Sequence, residues 1–270
     1  MPDTDKVFAG SIPKLYDEYL VPLIFSVYAD DIARRVAALS PSALLEAAAG
    51  TGAVTRAVAA ALPRNIRYIA TDLNEPMLAV AAQRQGEDDR ISWRQADASA
   101  LPFDDAAFDV VCCQFGAMFF PDRTKAYAEA KRVLKPNGTF LFSVWDRIED
   151  NVFADDATAE LGRMFPDDPP LFMARTPHGY HDKAVIRTDL ERAGFTRISI
   201  ETRSAMSRAP TAEYVAIAYC QGTPLRSEIE ARDAGKLQAA TDAVAEAIRT
   251  RHGFGPVEGR IQALVITARP

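Results

Sequence analysis

The sequence predicts an α/β fold, a doubly wound, mostly parallel sheet of seven strands. Three observations carry this. Short apolar runs alternate with segments of helical periodicity from residue 43 to residue 146. The run Val110-Val111-Cys112-Cys113 is apolar at every position, as expected of a strand covered on both faces. The first run, Leu44-Leu45-Glu46, leads into a turn of small residues, Ala47 to Gly52, that opens a helix-like segment.

The elements follow in order. Residues 11–39 read as helical, with Ile12, Leu15, Tyr16, Tyr19 and Leu20 on one face and an interruption expected at Pro22. Ser40-Pro41-Ser42 ends the pattern. Strands are then expected at 43–48, 66–71, 91–94, 108–114 and 139–145, with helices at 53–62, 75–84 and 122–134. Pro76 falls in a first helical turn, where a missing N–H costs little. Lys135-Pro136-Asn137-Gly138 is a turn signal. Residues 146–180 read as an irregular insertion because prolines 166, 169, 170 and 177 and scattered acids interrupt any period. A helix at 184–193 closing at Gly194, a strand at 195–202, helical pieces at 213–219 and 228–251, and a strand at 261–268 complete the chain.

The bulk numbers narrow the function. A formal net charge of -6 over 270 residues argues against nucleic acid as the main partner, which would ask for a basic face. The three cysteines, Cys112, Cys113 and Cys220, read as reduced buried thiols, and no Cys/His spacing suggests a metal site. The acidic opening residues lack the apolar core of a signal peptide, and no apolar run is long enough to span a bilayer. A cytoplasmic protein is expected.

The turn carries the chemistry. Two glycines, Gly50 and Gly52, precede a helix, and Asp72 closes the next strand 20 residues later. Backbone can approach a ligand at such a turn, and an acid after the second strand can hold a ribose diol. The dinucleotide pattern G-x-G-x-x-G fails at Thr55, and residues 43–55 contain no Lys or Arg to meet a phosphate. The spacing acid-x-G-x-G-x-G fits instead, as Glu46-x-Ala48-x-Gly50-x-Gly52.

That phrase resembles motif I of the class I S-adenosylmethionine-dependent methyltransferases, with Ala48 where the family usually has glycine. The resemblance extends over residues 43–146. Asp72 stands where the family's acid takes the ribose hydroxyls. Leu73 or Met77 stands where an apolar residue packs on the adenine. Asp97, in Gln95-Ala96-Asp97-Ala98, stands where a further acid meets the adenine amino group. Gln114-Phe115-Gly116 ends strand four, and Arg132 to Thr139 is similar to the family's turn into strand five. The resemblance therefore implies a Rossmann-like methyltransferase fold, S-adenosylmethionine as cofactor, and a cofactor site of Glu46, Ala48, Gly50, Thr51, Gly52, Asp72, Leu73, Met77, Asp97, Ala98, Gln114 and Phe115. Plainer readings stand beside these: Asp72 as a helix cap, Asp97 as a loop carboxylate, Glu46 as a brace for the turn, and Met77 and Phe115 as core. A methyl group at Ala48 is expected to narrow the approach to the ligand's methionine end.

The acceptor is less legible. Residues 1–42 are expected to form a helical cap, 43–146 the cofactor-binding core, and 147–182 with 204–256 the acceptor-site insertions of one methyltransferase domain. Their aromatic residues suit a small apolar or aromatic acceptor, similar to the quinone- and metabolite-methylating branch. His178, His181 and Tyr16 are the candidate catalytic groups; the plainer reading of the two histidines is a surface loop or, for His181-Asp182, the start of the next helix. Protein or RNA methylation, and a cofactor-binding protein without transfer, remain as alternatives. The oligomeric state is left open, a homodimer included.

Overall fold

The computed structural model describes Asp5 and residues 8–270. The opening acidic residues that bear on a signal peptide lie mostly outside the described residues.

Helix α1 (Ile12–Leu15) runs through a π-helical stretch, Tyr16–Phe25, into α2 (Ser26–Leu39). Pro22 lies inside that stretch without ending the helix. The wider π-helical turn takes up a residue that lacks an N–H and would break an α-helix. Then come β1 (Ala43–Glu46), α3 (Ala53–Ala61), β2 (Arg67–Asp72), α4 (Glu75–Gln85), β3 (Ile91–Gln95), β4 (Phe108–Gln114), α5 (Arg123–Val133) and β5 (Leu134–Trp145). The chain continues through α6 (Val152–Met164), α7 (Phe172–Arg175), α8 (Lys183–Arg192), β6 (Arg197–Ala209), α9 (Ala212–Gln221), α10 (Leu225–Arg232), α11 (Leu237–His252) and β7 (Val257–Arg269).

The seven strands are ordered β3-β2-β1-β4-β5-β7-β6. The pairings from β3 to β5 are all parallel. Strand β7 runs against β5 and β6: Gln262 lies by Asp146 and Arg269 by Thr139, while Arg269 bonds Thr196 and Gln262 bonds Ser204. Parallel neighbours need crossovers, and α3, α4 and α5 supply them. The order reverses between β1 and β4, whose carboxyl ends form the switch point of the sheet.

The chain divides into two compact units. One holds Ser26–Val144, His181–Arg203 and Ala263–Pro270. In it Leu44, Val110, Cys112 and Leu141 pack against Ile32 and Val36 of α2 and Val54 and Val58 of α3. The other sheet face carries Tyr127, Phe140, Phe142 and Phe195, with Phe140 stacked on Phe142 at 4.7 Å. Each such buried side chain contributes about 1.5–3 kcal/mol. Residues 26–42, expected with the N-terminal cap, belong to this unit.

The other unit holds the chain up to Phe25, Trp145–Tyr180 and Ser204–Gln262. Here the sequence reading needs correction. Residues 152–164, expected to be irregular, form α6, with Phe153, Ala154, Ala157 and Leu161 buried on one face. The prolines that suggested irregularity all fall after it. The single helix expected over 228–251 is two, broken at residues 233–236, where Gly235 follows Asp233 and its N–H bonds that carboxylate.

Candidate functional site

The turn after β1 sits at the switch point, inside the sheet-bearing unit. Its backbone is left-handed at alternate positions: φ is +54° at Ala48, +57° at Gly50 and +81° at Gly52. The spacing of small residues in the motif is this alternation. Ala48 explains why β1 stops at Glu46 and not at 48. Its methyl group is turned toward Gly116, where an added Cβ would lie only 2.4 Å away. At Gly52 an added Cβ would lie 3.0 Å from Ala81 Cβ, so that glycine lets α4 approach the turn.

Asp72 is buried at the end of β2 and holds the turn directly. Its Oδ2 accepts the Gly50 N–H at 2.9 Å, and its Oδ1 accepts the Asn74 N–H at 2.8 Å. Asp72 is therefore not itself the helix cap; Asn74 occupies that position of α4. Burial raises the Asp72 pKa, and the bonds from Asn74 and Gly50 oppose the rise. Oδ1 also accepts Asn74 Nδ2 at 3.5 Å, whereas Oδ2 carries the Gly50 bond and keeps a lone pair for a ligand hydroxyl.

Glu46 is wholly buried and points into the protein. Its Oε2 accepts the Thr55 hydroxyl at 2.7 Å and the Tyr68 hydroxyl, joining β1 to α3 and β2. Burial pushes its pKa up to about 7 despite those bonds. Thr71 Oγ1 bonds the Glu46 carbonyl at 2.9 Å. The geometry is that of a brace beneath the turn.

The remaining cofactor candidates gather around the same strand ends. Met77 is buried, with its terminal methyl 3.7 Å from the Cβ position of Gly50. Leu73, next to Asp72, is 48% exposed. Asp97 is exposed beyond β3, and its Oδ1 accepts the Ser99 N–H at 2.7 Å; Ala98 beside it is half-buried. Gln114 ends β4. Phe115 follows with φ +53°, buried, its edge set against Tyr28 at 5.4 Å. Thr51 Oγ1 is buried in the turn and has no hydrogen-bond partner among the described residues. A buried hydroxyl left unmade costs about 1–3 kcal/mol, which a ligand's polar atom would recover.

The sequence reading missed one cation. Arg56 lies one residue beyond the 43–55 stretch, and its Nη1 donates to the Thr51 carbonyl at 2.7 Å. It fastens the turn. Only position on the helix, one turn past Gly52, signals it.

The catalytic candidates fall in different units. Tyr16 and His178 belong to the unit without the turn, His181 to the unit with it. His178 is not on the surface: it is buried, its Nδ1 lies 2.8 Å from the Asp146 carbonyl, and its ring is 6.0 Å from Trp145. A carbonyl only accepts, so Nδ1 carries the proton and Nε2 is the basic nitrogen of the neutral ring. His181 is half-buried and immediately precedes Asp182, whose carboxylate caps α8.

Comparison with known proteins bears on the same strands. Residues 45–142 match a family described as a methyltransferase domain. Over that span the chain is similar to methyltransferase domains. Its relatives include the ubiquinone/menaquinone biosynthesis C-methyltransferase UbiE of Brucella anthropi, 31% identical over 167 residues, covering 57% of this chain and 64% of that protein. Demethylmenaquinone methyltransferase of Clavibacter sepedonicus is 41% identical over 105 residues, covering 39% of this chain and 42% of that protein. The chain thus spans less than two thirds of either relative. Among solved structures, phosphoethanolamine N-methyltransferase 2 of Haemonchus contortus, in complex with phosphomonomethylethanolamine and S-adenosylhomocysteine, shares the fold. Its TM-score is 0.63 at 17% identity, over 98% of this chain and 59% of that one. The matched span of the methyltransferase domain contains every cofactor candidate from Glu46 to Phe115. Among the described residues, no helix is long and apolar enough to cross a membrane.

Proposed function

We propose that this protein transfers a methyl group from S-adenosylmethionine to a small apolar or aromatic acceptor. The observation that carries the cofactor half is Asp72, a buried carboxylate already oriented by the Gly50 and Asn74 N–H groups. A site pre-organised in this way binds without a further ordering cost. Thr51 Oγ1, the exposed Leu73 and the acids Asp72 and Asp97 suit a ligand that combines a diol, a flat ring and positive charge. When bound, the cofactor supplies a methyl group activated by a cationic sulfur.

The protein's own work is alignment and exclusion of water. The acceptor class rests on two supports. The relatives named above are quinone-pathway methyltransferases by title. The unit outside the turn also carries a continuous aromatic row, Phe8–Tyr16–Phe25–Trp145–His178, with neighbouring rings 5.0 to 6.0 Å apart. Within that row His178, with Nε2 as its basic nitrogen, and Tyr16 are the groups we assign to an acceptor proton where one must leave.

Calorimetry with S-adenosylmethionine tests the first half. Asp72→Ala is expected to weaken binding at least about tenfold, the worth of one charge-assisted hydrogen bond. No binding by the wild type, or an unchanged affinity in the variant, overturns the assignment. A labelled-methyl screen over phenols, quinone precursors, amines and fatty acids tests the second half. Binding without transfer to any acceptor, including protein and RNA, would favour a non-catalytic role.

A further inference from the structure

The sheet-bearing unit has a concave site at the opposite ends of the strands that carry the turn. It is a recess of about 670 Å³, within the range of small-molecule pockets. Its walls come from Ser42 before β1, Asp109 at the start of β4, residues 135–139 of β5 and Arg269 at the close of β7. A bulge creates it. Phe108 pairs with Leu134 but Val110 pairs with Thr139, so Lys135 to Gly138 are thrown out of the ladder. Gly138 is required there, because a Cβ would come within 2.8 Å of Leu134 and 3.1 Å of the Asp109 carbonyl.

The charges in this recess do not cancel. Asp109 is fully engaged: Oδ2 accepts the Ser42 N–H, the Ser42 hydroxyl and the Ala43 N–H at 3.0, 2.7 and 2.9 Å, and Oδ1 accepts Lys135 Nζ at 2.7 Å. Lys135 keeps two further N–H donors. Arg269 is half-buried, and its Nε donates to Thr139 Oγ1 at 3.2 Å. Among the described residues no carboxylate forms an ion pair with it, whereas Arg90, Arg132 and Arg232 are each clasped by an acid. A half-buried guanidinium with its Nη fork uncommitted is set up for a planar or tetrahedral oxyanion. The backbone marks the same two places. The four described non-glycine residues with left-handed φ are Ala48 and Phe115 at the turn end, and Ser40 and Ala106 in this recess. Strained backbone of this kind gathers where ligands bind.

We propose that this recess binds a small organic anion, its carboxylate or phosphate held by Arg269 with Lys135 beside it. The site is separate from the cofactor turn, and the proposal stands whether or not the methyl-transfer reading does.

The test is calorimetric titration of the full chain at low salt with glycerol 3-phosphate and, separately, with citrate. Glycerol serves as the uncharged control, and each titration is repeated with saturating S-adenosylhomocysteine. Saturable binding of one or both anions, none of glycerol, and no competition from S-adenosylhomocysteine are expected; which anion binds separates phosphate from carboxylate recognition. Arg269→Gln should weaken that binding about tenfold or more, and Arg269→Lys should restore part of it. A wild-type measurement guards against misfolding of the variants: the Arg269 Nε–H NMR resonance should move on adding the anion. Absence of saturable binding by either anion, affinity unchanged in a folded Arg269→Gln, a stationary Arg269 resonance, or displacement by S-adenosylhomocysteine would each overturn the proposal.

Discussion

The methyl group of Ala48 occupies the space left by the missing side chain of Gly116; a Cβ on Gly116 would lie 2.4 Å from it and 2.8 Å from Cys113 Sγ. The off-pattern alanine of the motif and the glycine after β4 are thus one packing unit. Gly116→Ala should destabilise the protein by about 1–3 kcal/mol through overpacking. Ala48→Gly in the same chain should recover part of that loss, because it removes the closer of the two clashes. Urea denaturation of the two single variants and the double variant measures the coupling. Additive effects would show that the two residues do not share space.

Glu46 makes stability depend on pH in a direction unusual for a hydrogen-bonded carboxylate. Burial, opposed by Tyr68 and Thr55, raises its pKa from 4.5 to about 7. The folded state then holds a proton that the unfolded state has released, so this group's contribution is greatest below pH 4.5 and declines as pH rises through about 7. At 1.36 kcal/mol per unit the full swing is on the order of 3 kcal/mol. Glu46→Gln should flatten this slope between pH 4.5 and about pH 7, the window set by the two pKa values. Thermal midpoints of both proteins across that window decide it; parallel profiles would remove Glu46 as the cause.

Thr51 offers a test with two readouts of opposite sign. Its hydroxyl is buried without a partner among the described residues. Thr51→Val keeps the shape and removes the unmade hydrogen bond, so the free protein should gain up to about 1 kcal/mol. The same variant should bind S-adenosylhomocysteine about five- to tenfold more weakly if the hydroxyl meets the ligand, the worth of one neutral hydrogen bond. Gain of stability with unchanged affinity would leave Thr51 outside the site.

The legibility of the chain follows its physics. Strands β1, β2, β4 and β5 and their crossovers were readable because a buried parallel sheet needs mostly apolar runs, and β4 is such a run from Val110 to Cys113; the edge strand β3 is mostly exposed and carries only a short apolar signal. The acids and small residues of the site were readable because φ and close approach restrict residue type at Gly50 and Gly52, and spacing fixes Asp72. Helix α6 was not readable, since Gly162 and the prolines beyond it mask a buried face set by long-range contacts such as that of Phe153 with His252. The burial of His178 was equally hidden: its partner is a backbone carbonyl, at Asp146, which no side-chain motif encodes. Nor does any motif encode the orientation of Glu46, which follows from Tyr68, 22 residues away.

The link between α6 and α11 gives a last expectation. Asp156 is buried on α6, and both its oxygens are taken by the end of α11: Oδ1 by Arg251 and Oδ2 by His252 Nε2 at 2.6 Å. His252 also sets its ring edge-on to Phe153 at 5.4 Å. One carboxylate therefore ties the carboxyl end of a 16-residue helix, where unpaired carbonyls favour positive charge, to the middle face of another. Asp156→Ala leaves Arg251 without its acid and should cost about 1–3 kcal/mol. The loss should be local. Hydrogen exchange should rise in α6 and in the last turns of α11, while β1 to β4 and S-adenosylmethionine affinity stay at wild-type values. Faster exchange spread evenly over both units would show that this link holds more than the two helices it joins.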